Sequence, residues 1–351
     1  MPLYLGYESA IEHWRAVGAA LVSTPRPSPI RCVRDELTAG SLILAAVPQP
    51  GIANDSLVHA LISKKSRSGV YPQIKLHVCS GTLPAGSFRR ISSQVLVASP
   101  ALCLLHAAQC TSPRKILPLV ELCCEFLGSY SLCDGTQRGF RNHKPFLDMV
   151  EMRSFIEGLP PRTRGICILK KALELAFSLS ASPRETECAL MLALPAQYGG
   201  YAFPMPELNY RIDIPNRYRS LTDKEYLLLD LYWKDAGVAL EYDGSDHNDP
   251  ARIADDKARR NLLATMGFKT IVLEKRHVGN ARQFKQQIRQ LCMLLGIEPD
   301  VPTQEVAEKR AKLRKHLFDP QHHMACSYTK PLSLPPAPPV ESPVSLVESE
   351  R

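Results

Sequence analysis

The sequence predicts an α/β protein whose C-terminal half carries a helix, three strands, a second helix and a fourth strand, forming a mixed sheet. Residues 229–244 read as two short strands joined by a turn at 235–237, because apolar and aromatic residues flank an Asp/Gly break. A helix is expected over 253–266, ended by Gly267. The β-branched run 269–273 is typical of a central strand.

The remaining elements of this half follow from capping and periodicity. Ser182 and Pro183 predict a helix start, because Ser caps the first turn and Pro lacks only an N–H that would be unpaired there. Residues 209–214 predict a strand, and 284–295 an amphipathic closing helix. A last charged helix over 303–316 is expected to be solvated.

The N-terminal half has a mixed pattern that predicts an α+β arrangement. A helix-like run covers about 3–21, and Ser99-Pro100 is a second helix-start signal. The short strands expected here are Leu42–Leu44, Lys75–Val78 and Gln94–Val97, and the expected helices are 101–109, 116–126, 145–157 and 162–178.

These elements group into five segments. They are an N-terminal α+β domain (1–132), a linker with connecting helices (133–179, its polar part 134–144), a C-terminal domain (180–297), a further helix (298–320) and a proline-rich tail expected to be disordered (321–351).

Composition limits the functional classes. The 351 residues carry a net charge of +8, a lean toward anionic partners that does not by itself establish nucleic-acid binding. We expect no signal peptide and no membrane span, because Glu8, Glu12 and Arg15 interrupt the first apolar run and no other run is long enough. The eleven cysteines show no zinc-ligand spacing, which favours reduced, buried thiols in a cytoplasmic protein.

The predicted hairpin carries unusual acidic residues. Along the second strand Glu241 and Asp243 should point to one face, with Leu240 and Tyr242 on the other. Along the first strand, alternation predicts that Leu229, Leu231 and Trp233 share a face, with Asp230 opposite beside Tyr232.

Folding of the hairpin would bring Asp230 beside Glu241 and Asp243. Carboxylates crowded in an apolar sheet are costly unless they are paired or bind a cation. The alternative is an exposed hairpin with ordinary surface acids.

Four motifs in order resemble the PD-(D/E)XK nuclease superfamily, in the branch that includes very-short-patch-repair-like endonucleases. They are Ser182-Pro-Arg-Glu185-Thr, Asp230-Leu-Tyr-Trp, Glu241-Tyr-Asp-Gly followed by His247, and Asp256-x-x-Arg259-x-x-x-Leu263-x-x-x-Gly267. The resemblance spans about 180–296. The N-terminal half resembles proteins related to type IV abortive-infection antitoxins, through 95–105 and Glu121-Leu-Cys123.

The resemblance implies a restriction-endonuclease-like αβββαβ core and a metal-dependent endonuclease acting on DNA. The residues it implicates in catalysis are Glu185, Asp230, Glu241, Asp243, His247 and Arg259, and the metal ligands are Asp230, Glu241 and Asp243. The implied cofactor is Mg²⁺ or Mn²⁺, since a carboxylate-bound divalent ion activates water and neutralises charge on the leaving oxygen. Besides DNA, a homodimer or a toxin–antitoxin-type partner stays open.

One position departs from the superfamily pattern, because Asp243 stands where the usual signature has a lysine. His247, Arg259 and Lys257 are candidates for the role of that lysine. Two alternatives to catalysis stay open: a decayed nuclease fold that binds nucleic acid without cutting it, and an interaction module of a toxin–antitoxin pair.

Some of the named residues also have plainer explanations. Glu185 and Glu187 could simply complement a helix dipole. Asp256 and Arg259 are three residues apart and could form an ordinary ion pair on the surface of a helix. His247 could be a spectator in a loop.

Overall fold

The structure is a computed structural model that describes residues 2–17, 57–63, 73–132, 139–244 and 250–319. Helices and strands are mixed along the chain, which confirms the α/β class. The predicted strand Leu42–Leu44, His247 and the proline-rich tail lie outside the described residues.

The N-terminal half is built on a five-stranded sheet in the order β3-β2-β1-β5-β4. Its strands are β1 (Leu3–Leu5), β2 (Val58–Ile62), β3 (Ile74–Val78), β4 (Phe88–Arg90) and β5 (Val95–Ala98). The β1–β5 and β2–β3 pairs are parallel, and the β1–β2 and β4–β5 pairs are antiparallel. The predicted strands at 75–78 and 94–97 are therefore confirmed, each to within one residue.

Helices surround this sheet. They are α1 (Tyr7–Val17), α2 (Pro100–Cys110), α3 (Leu117–Leu127), α4 (Met149–Glu157) and α5 (Ile166–Leu175). The Ser99 side chain accepts a hydrogen bond from the Leu102 N–H, as a helix cap should. The prediction of one helix-like run from residue 3 was wrong at its start, because β1 is a fully buried strand paired on both sides.

Part of the predicted polar linker is a strand. Strand β7 (Phe140–Asn142) pairs antiparallel with β6 (Tyr130–Leu132), and the side chain of Phe140 is buried against that strand. Polar neighbours hide this element in the sequence, since only one residue of β7 contributes a large apolar side chain.

The C-terminal half contains the predicted order of helix, three strands, helix and strand. These are α6 (Pro183–Ala193), β8 (Glu207–Asp213), β9 (Tyr226–Trp233), β10 (Val238–Asp243), α7 (Pro250–Thr265) and β11 (Lys269–Glu274). The sheet order is β11-β10-β9-β8, and β10 and β11 are parallel while the other pairs are antiparallel. The mixed sheet is thus confirmed.

Three helices complete the fold: α8 (Lys275–Gly279), α9 (Ala281–Leu295) and α10 (Gln304–Phe318). The prediction that the last helix is solvated was wrong, because Leu313 and Leu317 are buried and Arg310 bonds to Asp300. These two leucines are four residues apart, so they form one apolar stripe on a helix that is otherwise charged.

A main core of buried residues joins the two halves, from β1 and α1 through α6 to α10. A smaller group, here called the α7 cluster, lies between the sheet and α7 and consists of Ile214, Leu227, Leu229, Tyr232, Ala239, Leu262 and Leu263.

The described cysteines form no disulfide with one another, and most of them are buried, as predicted for reduced thiols. Within the described ranges, every helix is too short or too polar to cross a bilayer.

Candidate functional site

The start of α6 is fastened to β8 through Glu185. Its Oε1 lies 2.8 Å from the Ser182 hydroxyl, while its Oε2 accepts hydrogen bonds from the Ala181 N–H at 2.8 Å and from Asn209 Nδ2 at 2.6 Å. Burial raises the pKa of this carboxyl group, and the three hydrogen bonds oppose the shift. Glu185 is therefore a buried, fully bonded group, which complementing a helix dipole would not require.

In strands β8 and β9, the alternation of side chains between the two faces of the sheet is interrupted at Asn209 and at Asp230. Leu208 and Leu231, which are paired, belong to the main core. In the next pair, Leu229 belongs to the α7 cluster and Tyr210 packs against it. Residues two apart on a regular strand share a face, so both strands turn over between these pairs.

The turnover corrects the predicted faces of β9. Leu231 and Trp233 share the main core as predicted, but Leu229 lies on the opposite side. The backbone of Asn209 accommodates the change with φ of +49°, in the left-handed region that Asn tolerates better than most residues.

Asp230 sits at this irregularity and takes over a backbone role. The paired residues of β9 and β10 end at Leu231 and Leu240, and beyond them Oδ2 of Asp230 accepts the Tyr242 N–H at 2.8 Å. Burial raises the pKa of Asp230 well above its usual range, and repulsion from Glu185 adds to the shift; the Tyr242 hydrogen bond opposes it. A cation placed here would relieve that unfavourable charge.

Glu241 is held by Arg259 of α7. Nη2 of the arginine lies 2.5 Å from Oε1 of the glutamate, and Nε lies 3.2 and 3.3 Å from its two oxygens. The same Nη2 donates to the Leu228 carbonyl at 2.5 Å. The alternative of a surface ion pair between Asp256 and Arg259 is therefore not what the structure shows, since Arg259 reaches across to the sheet.

Asp243 shares the face of Glu241, as alternation predicts. Its Oδ2 lies 3.8 Å from Nη2 of Arg260, the residue that follows Arg259 on α7. Leu240 and Tyr242 pack toward the main core on the other face.

These side chains line a cleft of about 300 Å³ between the sheet and α7. Its lining is Leu228, Asp230, Glu241, Tyr242, Asp243, Asp256, Arg259, Arg260 and Val272. Of the predicted site residues, the structure thus brings together Asp230, Glu241, Asp243 and Arg259. Glu185 is close enough to affect Asp230 but does not line the cleft.

Sequence reasoning considered Glu187 only as a complement to the helix dipole, and it did not include Arg260 among the site residues. Glu187 is completely buried, and its Oε2 lies 2.6 Å from Nη1 of Arg184. Burial raises the pKa of Glu187 to about 8, although Arg184 opposes the shift. The run Arg184-Glu-Thr-Glu187 on one helix was the available signal, because a salt bridge three residues apart is possible there.

The carboxylate oxygens of the cleft are ligands of the kind that a hard divalent cation prefers. Asp230 and Glu241 offer carboxylate oxygens to one cleft, and Oδ1 of Asp230 accepts no hydrogen bond from the described residues. Mg²⁺ often uses only one or two protein carboxylates and keeps several waters. Within the described ranges, no group of three or more His, Cys, Asp or Glu side chains is placed to hold a metal, so Asp230, Glu241 and Asp243 do not form the predicted three-ligand set there.

Comparisons of the chain with protein-family profiles, with curated proteins and with solved structures gave no match.

Proposed function

We propose that the protein is a divalent-metal-dependent endonuclease that hydrolyses phosphodiester bonds in DNA. The observation that carries this proposal is the cleft in which Asp230, Glu241 and Asp243 lie together with Arg259 and Arg260. These acids come from the two adjacent strands β9 and β10, and basic side chains from α7 line the same cleft. The nuclease resemblance of the sequence agrees with this arrangement.

Asp230 and Glu241 are the residues that would hold Mg²⁺ or Mn²⁺. When bound, such an ion supplies an acidified water and neutralises charge on the phosphate. The protein itself contributes positive charge from α7 and a partly enclosed cleft in which electrostatic contacts are stronger than in water. Glu185 keeps Asp230 in a negative environment, which favours a cation at that carboxylate.

A second candidate is a nucleic-acid-binding protein that does not cut. It is favoured by the complete pairing of Glu241 with Arg259, which leaves this glutamate with a cationic partner in the metal-free protein. Asp243 in place of the usual lysine points the same way.

Supercoiled plasmid separates these functions. We expect nicking in Mg²⁺ or Mn²⁺ and none in EDTA, and we expect Asp230→Asn and Glu241→Gln each to abolish it while the exposed control Asp223→Asn keeps full activity. Asp230→Asn and Glu241→Gln each remove a negative charge from the cleft while keeping the shape of the side chain.

Equal nicking in EDTA, or full activity of either cleft variant, would contradict the endonuclease proposal. Retarded plasmid migration in a gel without nicking in any metal would instead favour the binding protein.

A further inference from the structure

Helix α7 presents two neighbouring arginines to the cleft, and they are engaged very differently. Arg259 binds both oxygens of Glu241 and the Leu228 carbonyl, and 22% of its side chain is exposed. These contacts tie α7 to β9 and β10. Removing them would leave the Glu241 carboxylate, 13% exposed, without its partner.

Arg260 is the less constrained cation of the cleft. Its side chain is 44% exposed, and its closest ionic partner among the described residues is Asp243 at 3.8 Å. That separation exceeds hydrogen-bond distance, and the guanidinium forms no hydrogen bond to the described part of the chain. Within the described part of the chain, its donors are therefore not occupied by hydrogen bonds, whereas those of Arg259 are largely used.

The guanidinium group of Arg260 is suited to bind an anion that carries several oxygens. A guanidinium carries five donors in a planar fork that matches a phosphate, and each such contact is shorter and stronger than a neutral hydrogen bond. The cleft is open on this side, since Arg260 both lines it and is exposed to solvent.

We infer that Arg260, whose ionic neighbour Asp243 lies 3.8 Å away, contacts the backbone phosphate of the nucleic acid at the cleft. This inference rests on the proposed nucleic-acid function. It places a cationic group from α7 near the strand position at which the superfamily pattern has a lysine. The sequence had suggested His247, Arg259 or Lys257 for a different role of the missing lysine, that of orienting water.

The test measures binding of a short fluorescent DNA duplex in EDTA, by anisotropy over a series of salt concentrations. We expect Arg260→Ala to weaken binding and to reduce the magnitude of the slope of log K against log salt by about 0.9, as for loss of one phosphate contact. Arg260→Lys should retain most of the slope, because the charge remains. Arg289→Ala, an exposed arginine on α9, is the matched control and should bind like the wild type.

Chemical denaturation separates the two arginines further. Arg260→Ala should unfold at the same urea concentration as the wild type. Arg259→Ala should unfold at a lower urea concentration, because only this substitution breaks a hydrogen-bonded ion pair.

Wild-type affinity and slope in Arg260→Ala would overturn the inference, as would an equal loss in Arg289→Ala or a wild type that binds no DNA at low salt. The proposed function is decided separately by plasmid nicking. A wild type that binds DNA through Arg260 but never nicks would keep the inference and reject the endonuclease.

Discussion

Asp230 combines burial, neighbouring negative charge and a structural hydrogen bond in a single side chain. Its Oδ2 replaces a strand carbonyl for the Tyr242 N–H, while burial and repulsion from Glu185 raise its pKa. A side chain that only stabilised the hairpin would do so better without charge. Carboxyl groups with strongly shifted pKa values cluster at functional sites.

The raised pKa leads to a prediction about pH. A carboxyl group whose folded pKa exceeds its unfolded value stabilises the fold at low pH, and this contribution is lost as the pH rises through the folded pKa. The free energy of unfolding of the metal-free protein should therefore decrease as the pH rises above about 4, the ordinary pKa of Asp. The protein thus becomes less stable at higher pH. In Asp230→Asn this decline should be smaller, as urea denaturation between pH 4.5 and 8 would show.

Part of the decline should remain in that variant, because Glu187 has a pKa of about 8 and Glu185 is also shifted upward. Addition of Mg²⁺ at pH 7.5 should raise the melting temperature of the wild type and raise that of Asp230→Asn less. Identical pH profiles for wild type and Asp230→Asn, and no response of either to the metal, would show that Asp230 carries no unfavourable charge.

At the scale of elements, the site depends on the point where β8 and β9 turn over. Asn209 holds that point, because its left-handed backbone permits the change of face and its Nδ2 donates to the Leu179 carbonyl and to Glu185. The same residue thus connects the strand irregularity to the start of α6. This connection places Asp230 at the edge of the cleft.

Two substitutions separate the backbone role of Asn209 from its side-chain role. Asn209→Gly should lose only the side-chain hydrogen bonds. Asn209→Ala should lose them too and should be destabilised by a further strain of about 1–2 kcal/mol, because alanine disfavours the left-handed backbone conformation. We expect the free energy of unfolding to fall in the order wild type, Gly variant, Ala variant, measured by urea denaturation. Asn216→Ala, at an exposed position, is the control, and equal stability of the Gly and Ala variants would argue against backbone strain at this residue.

At the scale of the whole molecule, the two halves share buried contacts. The Ser129 N–H donates to the Ser180 carbonyl at 2.7 Å, and the Tyr130 hydroxyl lies 3.0 Å from Oγ1 of Thr186 on α6. Helix α10 returns to the N-terminal half through His316, whose Nε2 lies 3.0 Å from buried Glu121. The hydrogen bond to Glu121 raises the pKa of His316.

We therefore expect the C-terminal half to be unstable when expressed alone. Helix α6 is buried along almost its whole length in the full chain, and a fragment of residues 180–319 loses the contacts of this helix with the N-terminal half, such as that of Thr186 with Tyr130. It should aggregate or melt without a cooperative transition, as circular dichroism and light scattering would show, while residues 1–319 melt cooperatively. A monomeric fragment with a sharp transition would mean that the halves fold independently.

Local signals in the sequence were enough to determine most elements. Capping residues located the starts of α2 and α6, and alternation placed Glu241 and Asp243 on one face of β10. The acids of the cleft were also predictable, because charged residues in an apolar strand stand out regardless of context. These features depend on neighbours within a few residues, which the sequence displays directly.

Tertiary structure alone decided how the acids are partnered. Alternation could not reveal that β9 turns over at Asp230, because the change requires the left-handed backbone of Asn209 on a neighbouring strand. Nor could it show that Arg259 is hydrogen-bonded to Glu241 while Arg260 lies 3.8 Å from Asp243, because these distances depend on how α7 packs against β10. The sequence by itself therefore determined the fold class and the acids of the cleft, whereas the charge balance among these side chains depends on distances between segments that are remote in the chain.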